Sequence, residues 1–323
     1  MRKIFGMYDI DNITKKDTRS GFGAGLLEAA AGNDRIFALT ADVTGSVKMD
    51  GFKAAYPDRF IQTGIAEANM IGIAAGLALS GKIPFASAFA GFISGRVYDQ
   101  IRMTVAYSNL NVKICASHSG VTVGEDGATH QMIEDLGLMR MLPNMVVLNP
   151  CDYNETIQAT IAAANHNGPV YLRFGRPSVP NFTPEDKPFI IGKADVLEEG
   201  GDVTIFATGH LVFPALQAAR ELSGNGIHAE VINISTIKPL DEEAIIASVK
   251  KTGCAVTAEE HLLNGGMGDA VCQCLARKLP APVEMVGMND RFGESGTPEQ
   301  LLTFFGLDKE HIIEACKKAI NRK

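Results

Sequence analysis

Short apolar runs alternate with helix-period segments along the first half of the chain. Runs at 36–42, 60–65, 84–89, 112–118, 145–149 and 170–174 are nearly continuous in apolar residues. That is the signature of strands covered on both faces. Between them, apolar positions recur at helical spacing over 21–31, 67–80, 95–107 and 151–165. Strand–helix alternation of this kind predicts an α/β unit with a mostly parallel sheet.

The pattern breaks after Arg176. Four prolines fall between Arg176 and Pro188, and proline both fixes φ and removes a backbone donor. Neither a helix nor a central strand is expected there. A second α/β rhythm follows, with strands expected at 203–208, 229–234, 254–259 and 283–286. Helices are expected at 212–223, 241–250, 268–278, 298–304 and 309–322. The resulting division is a first domain over 1–176, a linker over 177–189 and a second domain over 190–323. A length of 323 residues, at roughly 150 per domain, agrees with two.

Composition narrows the function classes. Hydrophobic residues at 46% and charged residues at 21% exclude a disordered chain or a coiled coil. A net charge of −7 argues against nucleic acid as the main partner. The start of the chain turns acidic before a signal-peptide apolar run could form. No apolar stretch approaches the roughly 18 residues of a membrane span. The six cysteines form no C-x-x-C pair, which suits free thiols in a reducing cytoplasm.

Ligands of open α/β sheets sit at the carboxyl ends of strands, so the polar residues after the apolar runs are the candidates. Glu67 stands where a strand passes into a Gly- and Ala-rich helix. It is either a helix-terminal charge or a buried acid that meets a ligand nitrogen. Phe89 and Phe92, three apart at a strand end, suit either the core or a flat ring. Between His118 and His130 lie two acids and three glycines, which suits a site loop as well as a surface loop. The two histidines lack a compact metal-ligand spacing. Arg176 ends the first domain with a group suited to phosphate. No strand-borne G-x-G-x-x-G, P-loop or G-x-S-x-G elbow occurs.

Two stretches taken together, Gly64 to Gly76 and Gly124-Glu-Asp-Gly-Ala-Thr-His130-Gln, resemble the transketolase family of thiamine-diphosphate enzymes. The likeness spans essentially the whole chain. It is to the family's pyrimidine-binding domain followed by its C-terminal domain, both α/β folds. The family's diphosphate motif, Gly-Asp-Gly followed by Asn, is not matched. The resemblance therefore implies the C-terminal subunit of a split transketolase. A separate N-terminal subunit would hold the diphosphate and its Mg2+ or Ca2+, in an α2β2 heterotetramer. Glu67 matches the acid that hydrogen-bonds the cofactor's pyrimidine nitrogen and activates it. Phe89 and Phe92 match the aromatics that pack on that ring, and Asp42 matches an acid near the cofactor. Arg19, Ser46, His118 and Arg176 match the residues that hold the sugar phosphate. Asp126 matches the acid that reads a substrate hydroxyl, and His130 the histidine beside the reacting carbons. Gly95 stands where a third aromatic is often found, and Ser119 where full-length enzymes commonly carry Asp.

The implied reaction moves a two-carbon ketol unit from a ketose phosphate to an aldose phosphate, with the pentose phosphate pathway as its default setting. The beta subunit of a 2-oxo-acid dehydrogenase shares the layout but has no need of a sugar-phosphate clamp. A 1-deoxyxylulose-5-phosphate synthase shares Asp-Gly-x-Thr-His-Gln but lacks a counterpart of His118. A non-catalytic scaffold has no need of Glu67, His118, Asp126 and His130. In the second domain, 259–268 is expected to serve a turn, a helix start and an interface rather than catalysis.

Overall fold

The computed structural model describes residues 13–323. Residues 1–12, counted in the first domain and containing the acidic start, lie outside the described residues. Among the described residues there are fourteen strands: β1 (Thr14–Asp17), β2 (Ile36–Thr40), β3 (Phe60–Gln62), β4 (Ile83–Phe89), β5 (Lys113–Ser117), β6 (Val146–Leu148), β7 (Val170–Arg173), β8 (Ser178–Asn181), β9 (Asp195–Glu198), β10 (Val203–Ala207), β11 (Ala229–Asn233), β12 (Thr236–Lys238), β13 (Ala255–Leu262) and β14 (Val283–Met288). They form a seven-stranded sheet, β12-β6-β7-β5-β4-β2-β3, and a five-stranded sheet, β14-β13-β10-β11-β9, with β1 and β8 in a separate ribbon. Within the two large sheets only the edge strands β12 and β9 run antiparallel. Helices flank both sheets, as the alternating pattern predicts.

Every residue of β5 is buried, Lys113 and Ser117 at its ends included, so neither face meets water. One face of the first sheet is covered by the helices Thr18–Ala31 and Tyr153–Asn165, which approach closely. A Cβ on Gly21 would lie 2.5 Å from the Tyr153 carbonyl oxygen, and one on Gly25 would lie 2.7 Å from that of Ile157. Glycine is what allows this contact.

Three features depart from the sequence expectation. The segment expected to be one helix over 95–107 is instead two π turns, Gly91–Gly95 and Ile101–Ala106, around a short helix Tyr98–Gln100. The amide of Arg96 reaches back to Gly91 O and that of Tyr107 to Arg102 O, five residues in each case. Ser94 and Thr104 hydroxyls donate to the carbonyls of Ala90 and Gln100, and such side-chain bonds perturb the regular ladder. Second, the proline-rich stretch contains β8, paired antiparallel with β1 from Thr14↔Asn181 to Asp17↔Ser178. The ribbon tolerates Pro180 because it is not a central strand. Just beyond it, the Asp152 carboxylate accepts the amides of Phe182 and Thr183 and the Thr183 hydroxyl, strapping the connection to the first sheet. Third, β12 lies in the second half of the sequence yet completes the first sheet, with Thr236 opposite Leu148.

Candidate functional site

Parallel strands in register bring their carboxyl ends to one edge. Thr40 of β2 pairs with both Gln62 of β3 and Ser87 of β4, and Phe89 of β4 pairs with Ser117 of β5. The residues that follow these positions therefore meet. Beyond β3, Gly64 adopts φ +69, and the chain turns so that Glu67 opens the helix Glu67–Leu79. Gln62 Oε1 accepts the amides of Asp42 and Gly64 and so ties two loop starts together. Glu67 is buried, at 4% exposed, and stands in the first turn of its helix, a favourable place for an acid.

A continuous set of contacts runs outward from Glu67. Arg96 Nη1 donates to both of its carboxylate oxygens, at 3.0 and 3.1 Å. The same guanidinium lies over the Phe92 ring, 4.3 Å from its centre. Phe92 meets the edge of His130 at 5.6 Å between centroids and stacks with Phe89 at 5.8 Å. Phe89 in turn stacks on His118 at 3.8 Å. His118 is buried and adopts φ +58, and its Nδ1 lies 2.8 Å from the Ser117 hydroxyl. Burial pushes its pKa down to about 3, helped by the positive fields of Arg19, Arg176 and His130. At neutral pH the ring is therefore an uncharged partner that can donate from one nitrogen and accept at the other.

The cationic side of the site lies beyond His118. Arg19 donates to the backbone carbonyl of Ser46 at 3.2 Å and pairs with Asp17 at 3.3 Å. Burial holds Arg19 below its ordinary value; Asp17 opposes the shift and Arg176 adds to it. Arg176 donates to Val123 O and lies 3.3 Å from Glu125 and 3.9 Å from Asp126. Two arginines within range of one another beside a neutral histidine form a ready receptor for a dianion.

The structure thus gathers Glu67, Phe89, Phe92, His118, His130, Asp126, Arg19 and Arg176 into one region. Ser46 joins it through its backbone carbonyl, with an exposed side chain. Asp42 is exposed with φ +61 and connects only through Gln62. No group of three or more metal-ligating side chains gathers among the described residues.

Two residues escaped sequence reading. Arg96 falls in the segment expected as a helix over 95–107, where the sequence assigns it no role. Its signal was spacing: four residues after Phe92, one helical turn on, it lands over that ring. Glu260 was grouped with an interface segment, yet its Oε1 accepts the amide of Thr122 at 2.7 Å, inside the site loop. Its neighbours behave as expected, since Glu259 takes the amides of Met267 and Gly268 at a helix start and His261 takes that of Gly137.

Comparison with known proteins adds to this geometry. Residues 14–181 match the family model for the transketolase pyrimidine binding domain. Residues 192–312 match that for the transketolase C-terminal domain. The chain is 46% identical over 298 residues to the 6-deoxy-6-sulfo-D-fructose transketolase subunit SqwH of Clostridium sp. (strain MSTE9), covering 92% of each chain. It is 44% identical to a putative transketolase C-terminal section of Methanocaldococcus jannaschii, covering 100% of each. Among solved structures, a split-gene transketolase described as an inactive beta4 tetramer superposes with a TM-score of 0.90 at 46% identity, covering 95% of this chain and 99% of that one.

Proposed function

Because the chain belongs to the transketolase family, we propose that it is the C-terminal subunit of a two-chain, thiamine-diphosphate-dependent transketolase. In this reading it moves a two-carbon ketol unit from a ketose phosphate to an aldose phosphate. The first domain, 1–176, carries the pyrimidine site, the linker spans 177–189, and 190–323 is the C-terminal domain. The observation that carries the reading is the set of contacts from a buried helix-terminal carboxylate, across two stacked aromatics, to a buried histidine that lies in the field of two arginines. Relatives named as a subunit and as a C-terminal section support the two-chain arrangement.

The residues present fit the pyrimidine end of the cofactor. Glu67 offers a buried acceptor, Phe92 and Phe89 offer half-buried faces, and Gly95 is exposed with only the Met132 methyl near its absent side chain, at 3.7 Å. When bound, thiamine diphosphate supplies the electron sink for cleavage beside a ketone. Glu67 holds the proton shared with the ring nitrogen. His130 and Asp126 hold substrate hydroxyls and guide protons near the reacting carbons. Arg19, Arg176, His118 and the Ser46 segment bind the phosphate, and Asp42 lines the cofactor's approach. Ile65, two residues before Glu67, is 79% exposed, an apolar group beside the site for a partner to cover. The partner N-terminal subunit closes the site and brings the diphosphate and its Mg2+ or Ca2+, in an α2β2 assembly. Self-association of this chain is supported by the tetramer formed by its structural relative.

Among the described residues no helix is long and apolar enough to cross a membrane. All six cysteines are free, which supports a reducing cytoplasm. The default substrates are those of the pentose phosphate pathway. The Clostridium relative is named for a sulfonated sugar, and paired arginines meet a sulfonate with the same hydrogen bonds, so a sulfo-sugar donor belongs in the assay.

The test is ketol transfer from xylulose 5-phosphate, or from 6-deoxy-6-sulfofructose, to an aldose phosphate, with thiamine diphosphate and magnesium. It is run with this chain alone, with its N-terminal partner, and with Glu67→Ala. Activity is expected only in the mixture, falling by about 10²- to 10⁴-fold in the variant. Carbon dioxide release from 2-oxo acids in its place would identify a dehydrogenase subunit.

A further inference from the structure

The slot beside Glu67 is filled by a side chain of the chain itself. The Arg96 guanidinium makes two contacts at once: a hydrogen bond to each Glu67 oxygen, at 3.0 and 3.1 Å, and a stack on Phe92 at 4.3 Å. These are the two contacts that a flat, N–H-bearing heteroaromatic ring makes in such a place. A guanidinium is planar, delocalised and cationic, so it imitates that ring in both shape and polarity.

Burial is uneven across the pair. The Glu67 side chain is 5% exposed and that of Arg96 51%. The acid cannot leave without rebuilding its helix, whereas the arginine enters from solvent and can return to it. The backbone supports this arrangement. Arg96 directly follows the π turn Gly91–Gly95, with its amide bonded to Gly91 O at 3.3 Å. Its neighbour Gly95 presents no side chain to pin it.

We propose that Arg96 is a placeholder. It satisfies the Glu67 carboxylate in the unassembled chain and yields its position when the cofactor's pyrimidine ring docks between Glu67 and Phe92. The inference rests on the function proposed above. An unpaired buried carboxylate is unfavourable, so the placeholder stabilises the lone chain. The apparent affinity for the cofactor is lowered in proportion to the time the slot is closed. An ion pair with one exposed partner is modest in strength, so the effect is several-fold.

Calorimetric titration of thiamine diphosphate with Mg2+ into the two-chain complex tests this, comparing the natural sequence with Arg96→Met and Arg96→Lys. Thermal melts of this chain alone accompany it. Arg96→Met is expected to bind the cofactor about 3- to 10-fold more tightly, while the lone variant melts at a lower temperature. Arg96→Lys, which keeps the charge but not the planar fork, is expected between the two in both measurements. It also serves if the methionine variant does not fold. Equal or weaker cofactor binding by the variants overturns the placeholder, as does an unchanged melt of the lone chain. Absence of cofactor heat even with the natural sequence overturns the proposed function, and the placeholder with it.

Discussion

Glu260, in β13 of the second sheet, holds the backbone of Thr122 in the site loop of the first, with 2.7 Å between its Oε1 and the Thr122 amide. The contact is buried, and it fills the space beside Gly120, where a Cβ would strike the Glu260 carboxylate. The Glu260 carbonyl also accepts from Arg173 at 2.9 Å, and Arg173 pairs with Asp135 at 2.9 Å. The second half of the chain therefore shapes a loop that carries His118, Asp126 and His130.

Glu260→Ala should leave the Thr122 amide without a partner in a dry environment, destabilising the chain by about 1–3 kcal/mol. Glu260→Gln keeps an acceptor of the same shape and should lose much less. Denaturant melts check the stability. Steady-state kinetics of the assembled enzyme should show a higher KM for the sugar phosphate in the alanine variant.

Acid should weaken the fold through two histidines. Burial lowers His118 to about 3 and, with the field of Arg173, lowers His210 to about 4. Unfolded, both take up a proton near pH 6.5. The unfolded state thus binds more protons between those values, and stability falls as pH drops through this window. At pH 5 the loss is about 2 kcal/mol for each. Melting temperature followed from pH 7.5 to pH 4.5 measures it, and His210→Gln should flatten the lower part of the curve.

Arg19 and Arg176 should set anion affinity. Arg176→Ala or Arg19→Ala is expected to raise KM for a phosphorylated donor by about 10-fold or more, since each removes charge-assisted bonds of about 1.5–3 kcal/mol. Inorganic phosphate should compete with the donor in the natural enzyme and compete poorly in either variant. Inhibition kinetics distinguish this from a general loss of folding.

Lys113 provides a stability test remote from the site. It is fully buried at the start of β5, and its Nζ donates to Asn111 Oδ1 at 2.6 Å, His166 O at 2.7 Å and Gly168 O at 2.8 Å. Lys113→Met strands three acceptors and should destabilise the chain by at least about 1–3 kcal/mol. The site lies at the other end of the strand, so turnover per folded molecule should hold. Urea melts together with active-site-normalised rates check both.

The strands and helices that carry the site were legible in the sequence wherever burial imposes a pattern. β2, β4, β5 and β7 are largely apolar because both faces are covered, and the helix from Glu67 is a run of Gly, Ala and larger apolar residues long enough to announce itself. β12 was not legible. Three residues, Thr236–Lys238, carry too little periodicity to announce a strand, and nothing local says that they join a sheet begun two hundred residues earlier. The π turns were equally hidden, because their apolar positions still read as helical while the hydrogen-bond spacing shifts by one.

For the site, the sequence alone determined which chemistry was available: an acid before a Gly- and Ala-rich helix, two aromatics three apart, and a loop of histidines, acids and glycines beyond a strand. Those are properties of residue type and spacing, which local order preserves. The tertiary structure decided who touches whom. Strand register placed Phe89 beside His118, the helical turn after Phe92 laid Arg96 across Glu67, and the second sheet supplied Glu260 to the loop. Contacts between distant segments depend on how whole layers pack, and packing is a property of the assembled core rather than of any stretch of chain.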